Sequence, residues 1–274
     1  MKKKLLSLFV TTGTYQQFVN RIYKLALGKK SSYVCVANVH MLIEAHKNAA
    51  FAKAVNNADI VTPDGMPLAK SFKWLYGIKQ PRVAGMDLLP DLLKGAAVNK
   101  LPVYFYGSTD DVLQKAVEYS GDHYPGLEVA GSYSPPFRSL TEEEESDVIH
   151  KINDSGAKIV FVALGCPKQE NWMASMKGKI NSCMIGIGGA LPVVVGLQKR
   201  APVWMQKICL EWLFRLIQEP QRLFKRYLLT NISFIYLLFK SWLSAKLKPK
   251  KNGPEEKPER IYEAPPFNIR QAMD

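Results

Sequence analysis

The strongest constraint on this chain is a rhythm over its first 200 residues. Short apolar, β-prone runs alternate with longer runs whose apolar residues recur at helical spacing. Residues 33–36, 59–62, 102–106, 128–131, 159–164 and 182–187 read as strands. Residues 39–55, 66–76, 110–119 and 140–154 read as helices. In residues 39–55 the apolar positions Met41, Leu42, Ala45, Ala49, Phe51, Ala52 and Val55 share one stripe, which is what an amphipathic helix requires. Such alternation predicts an α/β fold, a parallel sheet covered by helices, because each helix carries the chain back to start the next strand. Ligands of such sheets bind beyond the carboxyl ends of the strands. Here those ends are Asn38, Asp64-Gly65, Gly107-Ser108, Gly165 to Gln169 and Gly188-Gly189.

The remaining segments follow other rules. Residues 1–10 start with three lysines and a short apolar run, and polar residues 11–17 follow without a small-residue cleavage site. This reads as a first strand and not as a signal peptide. Residues 210–229 read as one helix with apolar and basic residues interleaved. The longest apolar stretch, residues 227–243, is broken by Asn231 and Lys240, short of the roughly 20 apolar residues a spanning helix needs. Residues 248–274 are rich in Pro, Lys and Glu and read as a disordered tail. The expected organisation is a catalytic domain over 1–202, a basic helical appendage over 203–247 and the tail.

Charge separates the appendage from the rest. The chain has a formal charge of +13, yet residues 1–198 hold 22 basic and 17 acidic residues. Residues 199–251 hold 12 basic and only 2 acidic residues. That segment attracts phosphate, on nucleic acid or on anionic lipid. Trp212, Phe214, Leu223, Phe224, Tyr227 and Leu228 flank Arg215, Arg222, Lys225 and Arg226, and a very apolar run with Tyr236 and Trp242 follows. Cationic residues beside leucine and aromatic surface describe an interfacial helix, whereas a nucleic-acid face rarely needs so much leucine. Arg215 and Arg222, seven apart, are expected on one helix face, with Arg226 one turn further.

Individual residues carry chemistry less specifically. Asp64, in a strand-end turn, suits proton abstraction from a hydroxyl, and suits equally an N-cap or a turn aspartate. Gly107-Ser108 and Gly188-Gly189 suit phosphate on backbone N–H groups, or ordinary tight turns. The chain has no Asp-x-Asp pair for a metal-bound diphosphate and no Walker sequence. A diphosphate leaving group would then rely on arginine forks or backbone dipoles, and no metal or other cofactor is expected. Cys35, Cys166, Cys183 and Cys209 form no CxxC pair and read as reduced, mostly buried thiols. His40, His46, His123 and His150 have no ligand spacing and read as surface or supporting residues.

Several blocks together resemble one family. They are Val36-Ala37-Asn38, Thr62-Pro63-Asp64-Gly65-Met66-Pro67, Arg82-Val83-Ala84-Gly85-Met86-Asp87 and Phe161 to Glu170 with its Gly-Cys-Pro-Lys-Gln-Glu ending. Gly186-Ile187-Gly188-Gly189-Ala190, Lys199-Arg200-Ala201-Pro202, Glu211 to Leu216 and Glu219-Pro220-Gln221-Arg222 follow in order. Over about residues 1–230 the chain resembles the WecG/TagA/CpsF glycosyltransferases; residues 232–243 and the tail lie beyond that match. The resemblance implies a Rossmann-like fold, a UDP-sugar donor, inversion at the anomeric carbon and no metal. It implies transfer of N-acetylmannosamine, its uronic acid or another hexose to an undecaprenyl-diphosphate-linked acceptor, for surface polysaccharide or teichoic acid. By the same resemblance Asp64 is the general base, Asn38 and Arg82 line the sugar site, and Gln169 lies near the nucleotide. The glycines Gly65, Gly107, Gly188 and Gly189, with Ser108, fall in the turns that hold substrate. Arg215 and Arg222, with Lys225 or Arg226, grip the lipid diphosphate. Some relatives carry Thr where this chain has Val36, which removes one hydroxyl.

The expected location is the cytoplasm, peripheral on the inner membrane face, with a homo-oligomer open. Two rivals fit less well. An NAD-type oxidoreductase on a similar fold needs a glycine fingerprint and a ribose-binding acid about 20 residues on. A nucleic-acid-binding protein needs stacking aromatics on a polar basic face.

Overall fold

The computed structural model describes residues 1–28 and 30–247, so the predicted tail 248–274 lies outside the described residues. The chain opens with β1 (Lys2–Leu5), β2 (Leu8–Thr11) and α1 (Tyr15–Leu27). Then come β3 (Ser32–Ala37), α2 (Val39–Lys47), α3 (Ala49–Asn56), β4 (Ile60–Pro63), α4 (Met66–Tyr76) and α5 (Gly85–Val98). They are followed by β5 (Val103–Gly107), α6 (Asp110–His123), β6 (Val129–Tyr133), α7 (Glu142–Asp154), β7 (Ile159–Ala163), α8 (Lys168–Met176) and β8 (Cys183–Gly186). A 3-10 turn, Gly188–Ala190, leads into α9 (Leu191–Val194), and α10 (Val203–Lys207), α11 (Glu211–Gln218) and α12 (Pro220–Leu247) complete the described chain.

Strands β3 to β8 form one parallel sheet in the order β4-β3-β8-β7-β5-β6. Successive side chains on a strand point to opposite faces, so near-continuous apolar strands need cover on both. Tyr33, Cys35, Tyr106, Val160, Val162 and Met184 pack on one face beneath α2, α3, α7, α8 and α12. Val34, Val36, Phe105, Phe161 and Ile185 pack on the other beneath α1, α5 and α6. Phe105 and Phe161 stack across neighbouring strands with centroids 5.7 Å apart. Each fully buried side chain of that size contributes about 1.5–3 kcal/mol.

Where the sequence reading and the structure differ, a local cause is visible. Residues 1–10 form an antiparallel hairpin, not one strand. The turn is Leu6-Ser7, with Leu6 at φ 53, so the glycine or asparagine that announces such turns is missing. The hairpin covers the outer edge of β4, where Val61 N–H donates to Thr11 Oγ1 at 3.1 Å, and so protects an exposed sheet edge. Residues 39–55 make two helices, because Asn48 ends α2 and caps α3 by accepting from Phe51 N–H at 3.0 Å. α1 starts at the capping box of Thr14 and Gln17, within residues that read only as polar. α5 went unread because Gly85 opens it and Pro90 lies inside it. Residues 210–229 also make two helices. Pro220 lacks an N–H and opens α12, and Glu219 before it leaves the helical region, at φ −134 and ψ 63.

Gly107 sits where β5 and β7 pair closely, at φ 99. A Cβ there would lie 2.9 Å from the carbonyl carbon of Ala163, a backbone atom that has nowhere to go. Gly107→Ala is expected to lower folding stability by about 1–3 kcal/mol through strain and close contact. Chemical denaturation of the two proteins checks this.

Candidate active site

The connection after β3 goes to one face of the sheet, through α2, and the connection after β8 goes to the other, through α9. A crevice opens where neighbouring strands send their chains to opposite faces. In this crevice lies a cleft of about 250 Å³. Asn38, Asp64, Gly65, Gln169, Gly188 and Gly189 reach it from the strand ends, and Arg215, Arg222 and Arg226 reach it from α11 and α12. Two stretches far apart in sequence thus build one site.

Arg82 joins them. Its guanidinium donates to Glu211 Oε2 at 2.6 Å, to Asp87 Oδ2 at 2.8 Å and to Gln206 Oε1 at 3.0 Å. Arg200 also pairs with Asp87. Burial works against the charge of Arg82, and Asp87, Glu211 and Asp64 outweigh it. Asp64 follows β4, its N–H donating to Ala37 C=O at 2.8 Å, and Gly65 at φ 88 turns the chain into α4. Asp64 is not the cap of α4; that position is Gly65, without a side-chain bond. Burial pushes the Asp64 carboxyl up to about 7; Glu211 and Asp87 add to this, while Arg215 and Arg82 oppose it. A carboxyl in that range can take a proton near neutral pH.

The other predicted residues divide. Asn38 lines the cleft, but its Oδ1 caps α2 by accepting from Met41 N–H at 3.1 Å, leaving the amide N–H groups to face a ligand. Arg215 touches Met86 Sδ at 4.0 Å. Arg215 and Arg222 do not share a helix face, because the break at Pro220 puts them on different helices; they converge on the cleft across that bend. Arg222 pairs with Glu219. Lys225 is exposed and is absent from the cleft lining. Gly107 and Ser108 end β5, beyond β7 from the cleft, and do not line it.

Sequence reasoning missed three cleft residues. Glu211 was quoted only as part of a motif. His40 lines the cleft, and burial, helped by Arg226, holds its ring below the usual histidine range. Its place one residue into the helix after Asn38 was the available signal. Gln206, on α10, had none.

Comparisons with known proteins show the family. The model of the Glycosyl transferase WecG/TagA/CpsF family matches residues 3–248. The chain belongs to this glycosyltransferase family. The match extends through residues 232–243, so α12 is part of the family pattern and not an addition to it. An N-acetylglucosaminyldiphosphoundecaprenol N-acetyl-beta-D-mannosaminyltransferase of Bacillus spizizenii is 33% identical over 194 residues, 70% of this chain and 74% of the relative. A protein of the same name from Staphylococcus aureus is 29% identical over 195 residues, with the same coverage.

For a member of this family, Asp64 has a thermodynamic cost. Its proton is held more tightly folded, at about 7, than at the ordinary 3.8. Below both values the group is neutral in either state and costs nothing. As pH rises from about 4 to about 7 the unfolded chain gains from ionising first, so stability falls. Asp64→Asn is therefore expected to be the more stable protein at pH 8, by about 1–3 kcal/mol, with the gain gone near pH 3. Urea titrations at the two pH values check the sign.

Proposed function

We propose that this glycosyltransferase moves N-acetylmannosamine, or a closely related hexose, from a UDP-sugar to an undecaprenyl-diphosphate-linked acceptor, with inversion and without a metal. Such a product serves bacterial surface polysaccharide or teichoic acid synthesis. The observation that carries the reading is one cleft holding a carboxyl poised near 7 beside three arginines. The names of the relatives supply the sugar and the acceptor class. In the step itself Asp64 takes the proton of the acceptor hydroxyl. The freed oxygen attacks the anomeric carbon, the bond to the donor phosphate breaks, and UDP leaves with the electron pair. A single displacement of this kind inverts the centre.

The arginines fill the place a metal holds elsewhere. Guanidinium forks match phosphate geometry, and a partly enclosed cleft strengthens each contact. Arg215, Arg222 and Arg226 would divide the acceptor and donor phosphates between them. Arg82, already committed to Glu211, Asp87 and Gln206, fixes the walls of the sugar site. Gly188 and Gly189 leave backbone open to the donor, and Gln169 faces its nucleoside.

The acceptor brings a lipid tail, so a membrane must lie next to the cleft. Among the described residues no helix is long and apolar enough to cross one. Residues 203–247 would instead lie on it, as an appendage to the catalytic unit. Phe224, Leu228, Ile232, Ile235 and Phe239 make an exposed stripe three or four residues apart along α12, with Trp204 exposed on α10. Basic residues near an anionic leaflet add about 1 kcal/mol each. The inner face of the cell membrane is the proposed location.

Two experiments test the reading. In an assay offering a panel of UDP-sugars and a lipid-diphosphate acceptor, Asp64→Asn should keep UDP binding and lose roughly 10²–10⁴ in kcat. EDTA should leave the wild-type rate unchanged; loss restored by Mn²⁺ or Mg²⁺ would overturn the metal-free step. In the second, Ile235→Glu/Phe239→Glu should release the protein from anionic vesicles by about tenfold or more while UDP still binds. Vesicle binding equal to wild type would overturn the membrane role of α12.

A further inference from the structure

The proposed reaction uses Gln169 and leaves its neighbour Glu170 without work. Glu170 is a carboxyl with 0% exposure, an expensive group to bury without a role. Its Oε1 accepts from Gln169 Nε2 at 2.6 Å, and its Oε2 has no hydrogen-bond partner among the described residues. Burial pushes Glu170 up to about 7, and the hydrogen bond from Gln169 pulls the other way. An oxygen that accepts dictates which end of the neighbouring amide turns towards it, and Oε1 accepts here. The amide nitrogen faces Glu170. The other end, Gln169 Oε1, is buried at the cleft with no partner among the described residues.

The strand-end glycines are shaped around this amide. A Cβ on Gly188 would lie 3.1 Å from Gln169 Oε1, and one on Gly186 would lie 3.1 Å from Nε2. The turn after β8 thus leaves room for the amide and does not satisfy its oxygen. A buried carbonyl without a donor is an unmet demand that a ligand can meet. A hydroxyl ligand could rotate to suit either end of an amide, whereas an N–H cannot. Only an N–H makes the orientation matter.

We infer that Glu170 is a positioning residue that fixes the Gln169 oxygen towards the cleft, so that the site selects its nucleotide-sugar by an N–H group. The inference rests on the UDP-sugar reading. Two parts of such a donor offer an N–H, the imide of the base and the acetamido group of an N-acetylated sugar.

Calorimetry on the full chain separates them. The probes are a UDP-N-acetylhexosamine that the wild type binds, its N3-methyluracil analogue, and the matching UDP-hexose without the acetamido group. The wild type should bind one of the two analogues about tenfold or more weakly than the parent, the cost of one unmet buried hydrogen bond. Glu170→Gln, whose amide can meet either end of Gln169, should shrink that gap to about threefold or less, with kcat at saturating donor little changed. Gln169→Leu should shrink it equally, and it keeps the test alive where Glu170→Gln does not fold. A gap that survives in either folded variant, or no gap for either analogue in the wild type, overturns the inference alone. No UDP-sugar binding by the wild type overturns it together with the functional reading.

Discussion

The ion pairs of Arg82 hold this molecule in its working shape. Arg82 and Glu211 lie 129 residues apart in sequence and 2.6 Å apart in space. The pair joins two parts of the chain, the loop between α4 and α5, which Val83 N–H ties to Pro63 C=O at the end of β4, and a helix of the C-terminal segment. A charged side chain only 14% exposed is tolerable only with partners, and Arg82 has two carboxylates and an amide oxygen. Removing Glu211 would leave a half-buried cation short of charge. Seating α11 against the α4–α5 loop therefore satisfies Arg82, and the same seating brings Arg215 into the cleft.

That arrangement redistributes tasks among the arginines. The resemblance to relatives puts Arg82 at the sugar, yet it already makes three hydrogen bonds to protein with its five N–H donors. In the proposed reaction phosphate would be met by Arg215, Arg222 and Arg226, which come from the basic segment. The carboxylates that neutralise Arg82 also act on Asp64. Glu211 and Asp87 raise it, Arg215 and Arg82 lower it, and burial decides the balance upward. On the proposed reading, the base would otherwise be driven to low pKa by the cations around it.

Much of this was legible in the residues and some was not. The parallel sheet was legible because short, near-continuous apolar runs alternate with period-3.6 patterns between residues 33 and 187. The strand ends were legible as turn residues, and the sheet order places Asn38, Asp64, Gln169 and Gly188 in one crevice. Gly107 and Ser108 carried the same signal and lie elsewhere, since a glycine at a strand end marks either an open phosphate turn or a close backbone approach. Only the position of β5 in the sheet separates the two, and strand order is not a local property. His40 and Glu211 were unread for a related reason. Their significance comes from Arg226 and Arg82, partners that only tertiary structure supplies.

Helix α12 shows why its pattern resisted a single reading. Leu223, Phe234 and Leu238 are buried, and the last two join the core where α12 packs against α2. Arg222, Arg226, Thr230 and Asn231 face the cleft. Phe224, Leu228, Ile232, Ile235 and Phe239 face outward. Three faces with three solvents (protein interior, an anion site and the outside) cannot give one apolar stripe, and apolar residues on two of them blur the helical period. The segment looks neither amphipathic nor transmembrane, although each face is chemically consistent. Whatever the outward face rests on lies one helix diameter, about 10 Å, from the arginines. In the proposed reaction a diphosphate whose lipid tail remains in a membrane would span that distance, and this one helix would bring a lipid-anchored hydroxyl towards Asp64.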